Sequence, residues 1–227
     1  ASLTSTQSIQ LQKHFRYIIS PKRQKLDDTD HGGSVEVYDE KITRTQDHTL
    51  LRGFFQSEKY FKHRRQDVNK WLKPRPKIQS RVDKILEAAP TPTDAVAVHI
   101  RLGDYKRHFL SINEQQYPYS LGADYYISAI ENLFPKKDLV IFSDEPESAA
   151  QLLPKRPMFF APPEDALPTL FAMSKFQNIV ISNSSFSWWA AWLGSKTKKV
   201  AAPKFHIGRS ADRWYPADIN VDGWEYF

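Results

Sequence analysis

Ala95-Val96-Ala97-Val98-His99-Ile100-Arg101-Leu102-Gly103-Asp104-Tyr105 is the stretch whose reading decides the fold. Its first six residues form a near-continuous apolar run, which implies a strand buried on both faces, as in a parallel sheet. The run passes directly into a cation, a glycine and a carboxylate, so charged groups stand in the loop at the strand's carboxyl end. That edge is where open α/β sheets bind ligands.

Working outward, short β-branched runs alternate with amphipathic stretches, the pattern of βα units around a parallel sheet. Four further strands are expected at Leu139–Phe142, Pro157–Phe160, Asn178–Ile181 and Lys199–Ala202. Helices are expected near 122–134, 145–153, 165–175 and 186–194. The expected architecture is α/β, with a Rossmann-like nucleotide-binding domain over 93–227 and a short, reduced N-terminal region over 1–92. Ala89-Pro90-Thr91-Pro92 reads as the linker between them. Within 1–92, Ser8 to Ile19 reads as a helix and Asp27 to Gly33 as a loop.

The 227 residues include 6 Trp, 10 Tyr and 14 Phe with only 8 Gly, which supports a packed globular interior and excludes low-complexity sequence. Aromatic residues in this number also suit a carbohydrate site. The absence of cysteine excludes disulfides, thiolate metal sites and a thiol nucleophile. No apolar run approaches the roughly 18 residues of a membrane span, so the chain reads as soluble and cytoplasmic. Residues 1–92 carry 18 Lys+Arg against 11 Asp+Glu, and residues 93–227 carry 14 against 15, so the basicity lies in the N-terminal part. The basic stretch Glu58 to Lys84 contains no nucleic-acid motif, and no nucleic-acid partner is expected.

Arg101 offers a planar, permanently charged fork suited to phosphate oxygens, and Gly103 permits close approach of a ligand. The simpler alternative is that Arg101 and Asp104 pair with each other across a turn. The fourth strand ends in Ser182-Asn183-Ser184-Ser185-Phe186-Ser187-Trp188-Trp189, where a polar cluster opens an apolar helix. That is a helix cap, and the N–H groups and dipole of the helix start also favour an anion. Asp144 and Asp165, in the loops after the second and third strands, could accept hydrogen bonds from a base or ribose, or cap the helices that follow. Asp28-Thr29-Asp30 has the Asp-x-Asp form of some divalent-cation sites. It follows no expected strand and reads as a surface loop, so no metal is expected.

Three blocks then carry a family resemblance. Arg52-Gly53-Phe54-Phe55-Gln56-Ser57-Glu58-Lys59-Tyr60-Phe61, His99-Ile-Arg101-Leu-Gly103-Asp104-Tyr105 and Asn183-Ser184-Ser185-Phe186-Ser187-Trp188-Trp189-Ala190 resemble, in that order along the chain, signature segments of the α-1,2-fucosyltransferases, glycosyltransferase family 11. The resemblance implies a metal-independent, inverting GT-B-type transferase using GDP-β-L-fucose and a glycan acceptor. It implies that Arg101 grips the diphosphate and that Ser184, Ser185 and Phe186 line the phosphates. Three departures stand out: no Gly-Gly-Leu-Gly-Asn-Gln segment, Leu102 where many members place Arg, and Thr169 where members often carry Asp. The last leaves another GDP-hexose, such as GDP-rhamnose or GDP-mannose, in play, and a binding protein without turnover is a further alternative.

Displacement at an anomeric carbon needs stabilisation of the leaving diphosphate and removal of the acceptor proton. Arg101 and the Ser184 helix start are the candidates for the first. Asp104 and His99 are candidates for the second, with Glu58 a more distant one. Asp144, Asn183, Ser184, Ser185 and Phe186 complete the expected nucleotide-sugar contacts.

Overall fold

Ala95–Ile100 is a strand, and all six of its residues are buried. The computed structural model describes residues 17–20, 23–25, 34–112, 115–204, 206 and 218–227. The chain divides into two compact units, Ala1–Val68 with Tyr215–Val221, and Asn69–Trp214 with Asp222–Phe227.

The first unit contains β1 (Tyr17–Ile19), β2 (Arg23–Lys25), β3 (Ser34–Glu36) and β4 (Thr49–Leu51). β1 pairs parallel with β4, and β2 antiparallel with β3. The helix expected over Ser8 to Ile19 is therefore corrected at its last three residues, where ladder pairing with β4 holds the backbone extended. The remainder of that span, the loop Asp27 to Gly33 and the Asp28-Thr29-Asp30 motif lie outside the described residues. Tyr60 organises the described part of this unit: its ring centroid lies 4.8 Å from that of Tyr38 and 5.7 Å from that of Phe55. Its hydroxyl accepts from the Asp39 amide at 2.9 Å. Asp218 accepts from the Tyr38 amide at 2.8 Å and pairs with Lys59.

The elements that follow are α1 (Arg65–Trp71), α2 (Pro76–Ala88), β5 (Ala95–Ile100), the hairpin β6 (Phe109–Ile112) and β7 (Gln115–Pro118), α3 (Ala123–Leu133), β8 (Asp138–Ser143), α4 (Pro146–Ala150), β9 (Met158–Phe160), α5 (Ala166–Met173), β10 (Asn178–Val180), α6 (Ser185–Leu193), β11 (Lys199–Ala202) and β12 (Glu225–Tyr226). The five expected strands are all present. Glu225–Tyr226 adds a sixth, which at two residues gives no periodicity to read. The sheet order is β12-β11-β10-β5-β8-β9, with every pairing parallel. Counted within the sheet this is 6-5-4-1-2-3, the doubly wound order in which the connections change direction between the first and fourth strands.

Period-two alternation sorts the strand residues between two layers. Val96, Val98 and Ile100 of β5 join Leu139 and Ile141 of β8 in a cluster with Tyr125, Tyr126, Ala129 and Ile130 of α3. His99 and Phe142 fall on the opposite face, where His99 meets Phe186 at the start of α6 and Phe142 meets Phe176 after α5. α2 starts with Pro76 at its first turn, buries Val82 and Ile85, and packs against α5 in the second unit. The second unit thus begins before Ala89-Pro90-Thr91-Pro92, and those residues form a turn into β5. The Asp94 and Ala95 amides donate to the Thr91 carbonyl at 2.9 and 3.0 Å.

Tyr125, fully buried in α3, donates its hydroxyl to the carbonyl of Ile181 at 2.6 Å, just past β10. Removing it leaves a buried carbonyl with its principal side-chain donor lost. Tyr125→Phe is expected to lower unfolding stability by about 1–3 kcal/mol, as measured by urea denaturation. An unchanged midpoint would show that water replaces the hydroxyl.

Candidate functional site

The direction change between β5 and β10 opens a crevice past Ile100 and Val180, because the chain leaves these neighbouring strands toward opposite faces of the sheet. A cleft of about 610 Å³ lies in the second unit. One wall is formed by His99 of β5 with Arg101, Asp104 and Tyr105 after it, and by Ser143 at the end of β8 with Asp144 after it. The other is formed by Ala161, Pro162, Pro163 and Glu164 with Ala166 and Thr169 of α5, and Ser184 and Phe186 also line the cavity.

Arg101 is held between two carboxylates. Its two terminal nitrogens lie 2.7 Å from Asp104 Oδ1 and 2.9 Å from Asp144 Oδ2, and its guanidinium carbon lies 5.9 Å from the Tyr105 ring centroid. The pairing across the turn is thus present, and Asp144 extends it. Asp144 is not the cap of α4: its second oxygen accepts from the Leu102 amide at 3.0 Å, tying the two loops together. Gly103 permits this approach, since a Cβ there would stand 2.7 Å from Asp144 Oδ2.

His99 is buried, with Nδ1 2.7 Å from Ser182 Oγ and its ring 5.2 Å from that of Phe186. Ser182 in turn lies 3.4 Å from Ser187 Oγ, and Ser187 is within 3.3 Å of the Ser182 carbonyl. Burial pushes the imidazole pKa down to about 3, and the nearby Arg101 charge acts in the same direction. The ring is neutral at working pH and a very weak base. Of the two expected proton acceptors at this edge, Asp104 is the more exposed group, while His99 ties β5 to the α6 loop.

Ser184 caps α6, its side-chain oxygen accepting from the Phe186 amide at 3.3 Å, and it lines the cleft as well. Ser185 is exposed and is not among the cleft-lining residues. Asn183 is buried and braces the loops: its Nδ2 donates to the Tyr119 carbonyl at 2.7 Å, and its own carbonyl accepts from Tyr105 at 3.3 Å. α6 is anchored by its aromatics, with Trp188 stacked on Trp192 at 6.2 Å and Trp192 fully buried. Glu58 is buried in the first unit, 4.0 Å from Lys62.

The far wall has a brace that the sequence did not disclose. Arg81 of α2 reaches Glu164 Oε2 at 2.7 Å and Asp165 Oδ2 at 2.8 Å. Asp165 stands at the N-cap position of α5 without a side-chain capping bond, so its carboxylate serves Arg81 instead. These partners lie more than eighty residues apart in sequence, and no spacing rule connects them. Ser182 was missed as the partner of His99, and Ser187 as the partner of Ser182, for a related reason. Only the parallel register of Val98 with Val180 brings the ends of β5 and β10 side by side. Among the described residues no group of three or more His, Asp or Glu is arranged to hold a metal ion.

Residues 36–226 match the family model described as Glycosyl transferase family 11. The chain belongs to glycosyltransferase family 11. It is 31% identical over 171 residues to an alpha-1,2-colitosyltransferase of Escherichia coli, covering 70% of this chain and 56% of that protein. It is 29% identical over 140 residues to the O-antigen biosynthesis glycosyltransferase WbnK of Escherichia coli, covering 58% of this chain and 44% of that protein. The chain thus spans about half the length of the curated relatives it matches. A crystal structure of the alpha-1,6-fucosyltransferase NodZ soaked with GDP-fucose aligns at 14% identity with a TM-score of 0.47, over 74% of this chain and 60% of that one. The family-11 resemblance carried by the His99, Asn183 and Arg52 blocks is therefore borne out, as is the α/β parallel sheet.

Neutral burial of His99 makes stability pH-dependent. The unfolded chain protonates this imidazole near pH 6.5, whereas the folded chain resists to about 3. The contribution is complete above about pH 6.5 and falls by about 1.4 kcal/mol per pH unit on acidification toward the folded value. His206, pushed down to about 4 by burial, adds a slope of the same sign. His99→Gln is expected to flatten, without abolishing, the loss of urea stability between about pH 6.5 and about 5. An unchanged slope would mean that His99 takes up its proton in the folded state.

Proposed function

We propose that this chain carries the donor site of a metal-independent, inverting GT-B-type transferase that moves L-fucose from GDP-β-L-fucose to a hydroxyl of a glycan acceptor. The observation carrying the reading is Arg101 at the switch point, clamped by Asp104 and Asp144 and facing the same cleft as the start of α6. A guanidinium fork and a helix N-terminus are both suited to diphosphate oxygens. Membership of glycosyltransferase family 11 supports a sugar-nucleotide donor, and the resemblance carried by the three signature blocks implies GDP-fucose.

In this reading the acceptor oxygen attacks the anomeric carbon from the face opposite the diphosphate, and the bond from that carbon to the phosphate oxygen breaks. Negative charge grows on the departing GDP. Arg101 meets it, already oriented by its two carboxylates, together with Ser184 and the backbone at the α6 start. Asp104, partly exposed at the cleft, takes the acceptor proton. Asp144 and Glu164 are the carboxylates placed to accept from the ribose or base. Phe186 packs beside the phosphates, and Asn183 and Ser185 support the same turn. No helix among the described residues is long and apolar enough to cross a membrane.

Two observations favour a second donor. The relative with the longer match is named for colitosyl transfer, and Thr169, where family members often carry Asp, lines the cleft. Another GDP-hexose is therefore the alternative donor, and turnover of GDP-fucose against GDP-rhamnose, GDP-mannose and GDP-colitose separates the readings.

Calorimetric titration without added metal is expected to show binding of GDP but not UDP or ADP. Arg101→Ala is expected to weaken GDP binding by about ten- to a hundred-fold, the loss of one charge-assisted contact. Asp104→Asn is expected to lower kcat by about a hundred-fold or more while GDP affinity changes little. Absence of GDP binding by the unsubstituted chain would overturn the donor assignment. A normal kcat in Asp104→Asn would remove the proton role alone.

A further inference from the structure

Several of the described surface cations in the molecule have carboxylate partners. Lys59 pairs with Asp218, Arg64 with Asp67, Arg81 with Glu164 and Asp165, Lys106 with Glu145, and Lys199 with Glu225. The segment Lys70-Trp71-Leu72-Lys73-Pro74-Arg75-Pro76-Lys77 instead gathers cations that have no such partner in one place. It holds four cations and no acid, and none of the four makes an ion pair among the described residues. All four are exposed, and between the first two stand Trp71, 69% exposed, and Leu72, 44% exposed.

An exposed tryptophan and leucine flanked by unpaired cations are unfavourable as plain surface. The apolar pair gains nothing in water, and the like charges repel one another with no counter-charge to offset them. The local backbone keeps the group in place. α1 ends at Trp71, and Pro74 and Pro76 stop helix from continuing through Leu72–Arg75. The cations therefore stand along an irregular connection on either side of the apolar pair, while Pro76 starts α2, whose buried Val82 and Ile85 fix it to the body of the unit.

We propose that this segment docks the protein on an anionic lipid surface, with Trp71 and Leu72 entering the interfacial region and Lys70, Lys73, Arg75 and Lys77 meeting the lipid phosphates. The chemistry of both halves fits that partner. Tryptophan settles at the boundary between headgroups and acyl chains, and a basic residue close to an anionic leaflet adds about a five-fold gain in partition. Lysine and arginine stems reach past a shallowly inserted apolar pair to the phosphate level. A nucleic acid would use the cations and could stack on Trp71, but it leaves Leu72 without a role. The association is peripheral, and it is independent of the donor site.

The test is co-sedimentation of the chain with vesicles of phosphatidylcholine alone and with vesicles in which about a third of the lipid is phosphatidylglycerol, at low and high salt. Binding is expected only to the anionic vesicles and is expected to be lost at high salt. Neutralising all four cations (K70Q, K73Q, R75Q and K77Q together) is expected to reduce partition by at least a hundred-fold, and Trp71→Ala alone by about ten-fold, with thermal melting of both variants unchanged. The proposal is overturned if the chain ignores anionic vesicles, if it binds neutral vesicles equally, or if the four-fold variant binds as the parent does. It is also overturned if a single-stranded oligonucleotide binds through the same residues while the vesicles do not. Because every variant exposes only residues already at the surface, unfolding is not an expected cause of lost binding, and the melting curve checks this directly.

Discussion

The reversal of strand order between β5 and β10 is the constraint on which the second unit depends. Neighbouring parallel strands whose connections run to opposite faces cannot both have their carboxyl ends covered by the same helix. Everything polar in this unit that is both buried and clustered gathers at that opening. His99 reaches Ser182 across it, Asp144 reaches back to the Leu102 amide, and the α6 start descends into it from β10. The inner strands of the sheet, β11, β10, β5 and β8, are assembled mostly from buried Val, Ile, Leu and Ala, so its position is fixed by packing independent of the site. The site loops can then carry charge without carrying the fold.

Neutrality of His99 follows from the same placement. It occupies an otherwise apolar strand position, and its alternation puts it under Phe186 on the helix-covered face away from solvent. A charged imidazole there would be stripped of water and would be repelled by the Arg101 cation. The ring therefore works as a hydrogen-bonding strut between β5 and the α6 loop, and Ser182, fully buried, is the partner that makes the strut possible.

Much of this arrangement was legible in the sequence, and the limits have physical reasons. The five longer strands and the helices between them announce themselves by local pattern, and the register of chemistry at their carboxyl ends follows from topology alone. Arg101, Asp104, Asp144 and Ser184 were therefore readable as neighbours of one edge. What local pattern cannot express is a partner chosen across the fold. Arg81 lies on α2, in a stretch that reads simply as basic, and its role as the brace behind Glu164 exists only because α2 packs on α5. The same packing draws α2 into the second unit and reduces Ala89–Pro92, which has a linker's composition, to a turn. Tyr17–Ile19 shows the opposite failure: a strand of three residues is made by its pairing with β4, and three residues carry no period.

Arg101 is the one permanently charged cation among the described residues lining the cleft, and Asp104 and Asp144 both face it. Taken alone these three groups sum to a single negative charge, an unpromising receptor for a diphosphate. The resolution lies in how the charges are used. Each carboxylate engages one terminal nitrogen of the fork, leaving the remaining N–H donors of a five-donor group. The fork is thereby fixed before any ligand arrives, and binding need not order a long flexible side chain. Attraction for the anion then comes from donors that are directional rather than from net charge, with the N–H groups at the α6 start acting beside the guanidinium. In the proposed donor role, a site built this way would hold a ground-state diphosphate modestly and respond most strongly where negative charge increases. That is the requirement for assisting departure of a nucleoside diphosphate rather than for storing one.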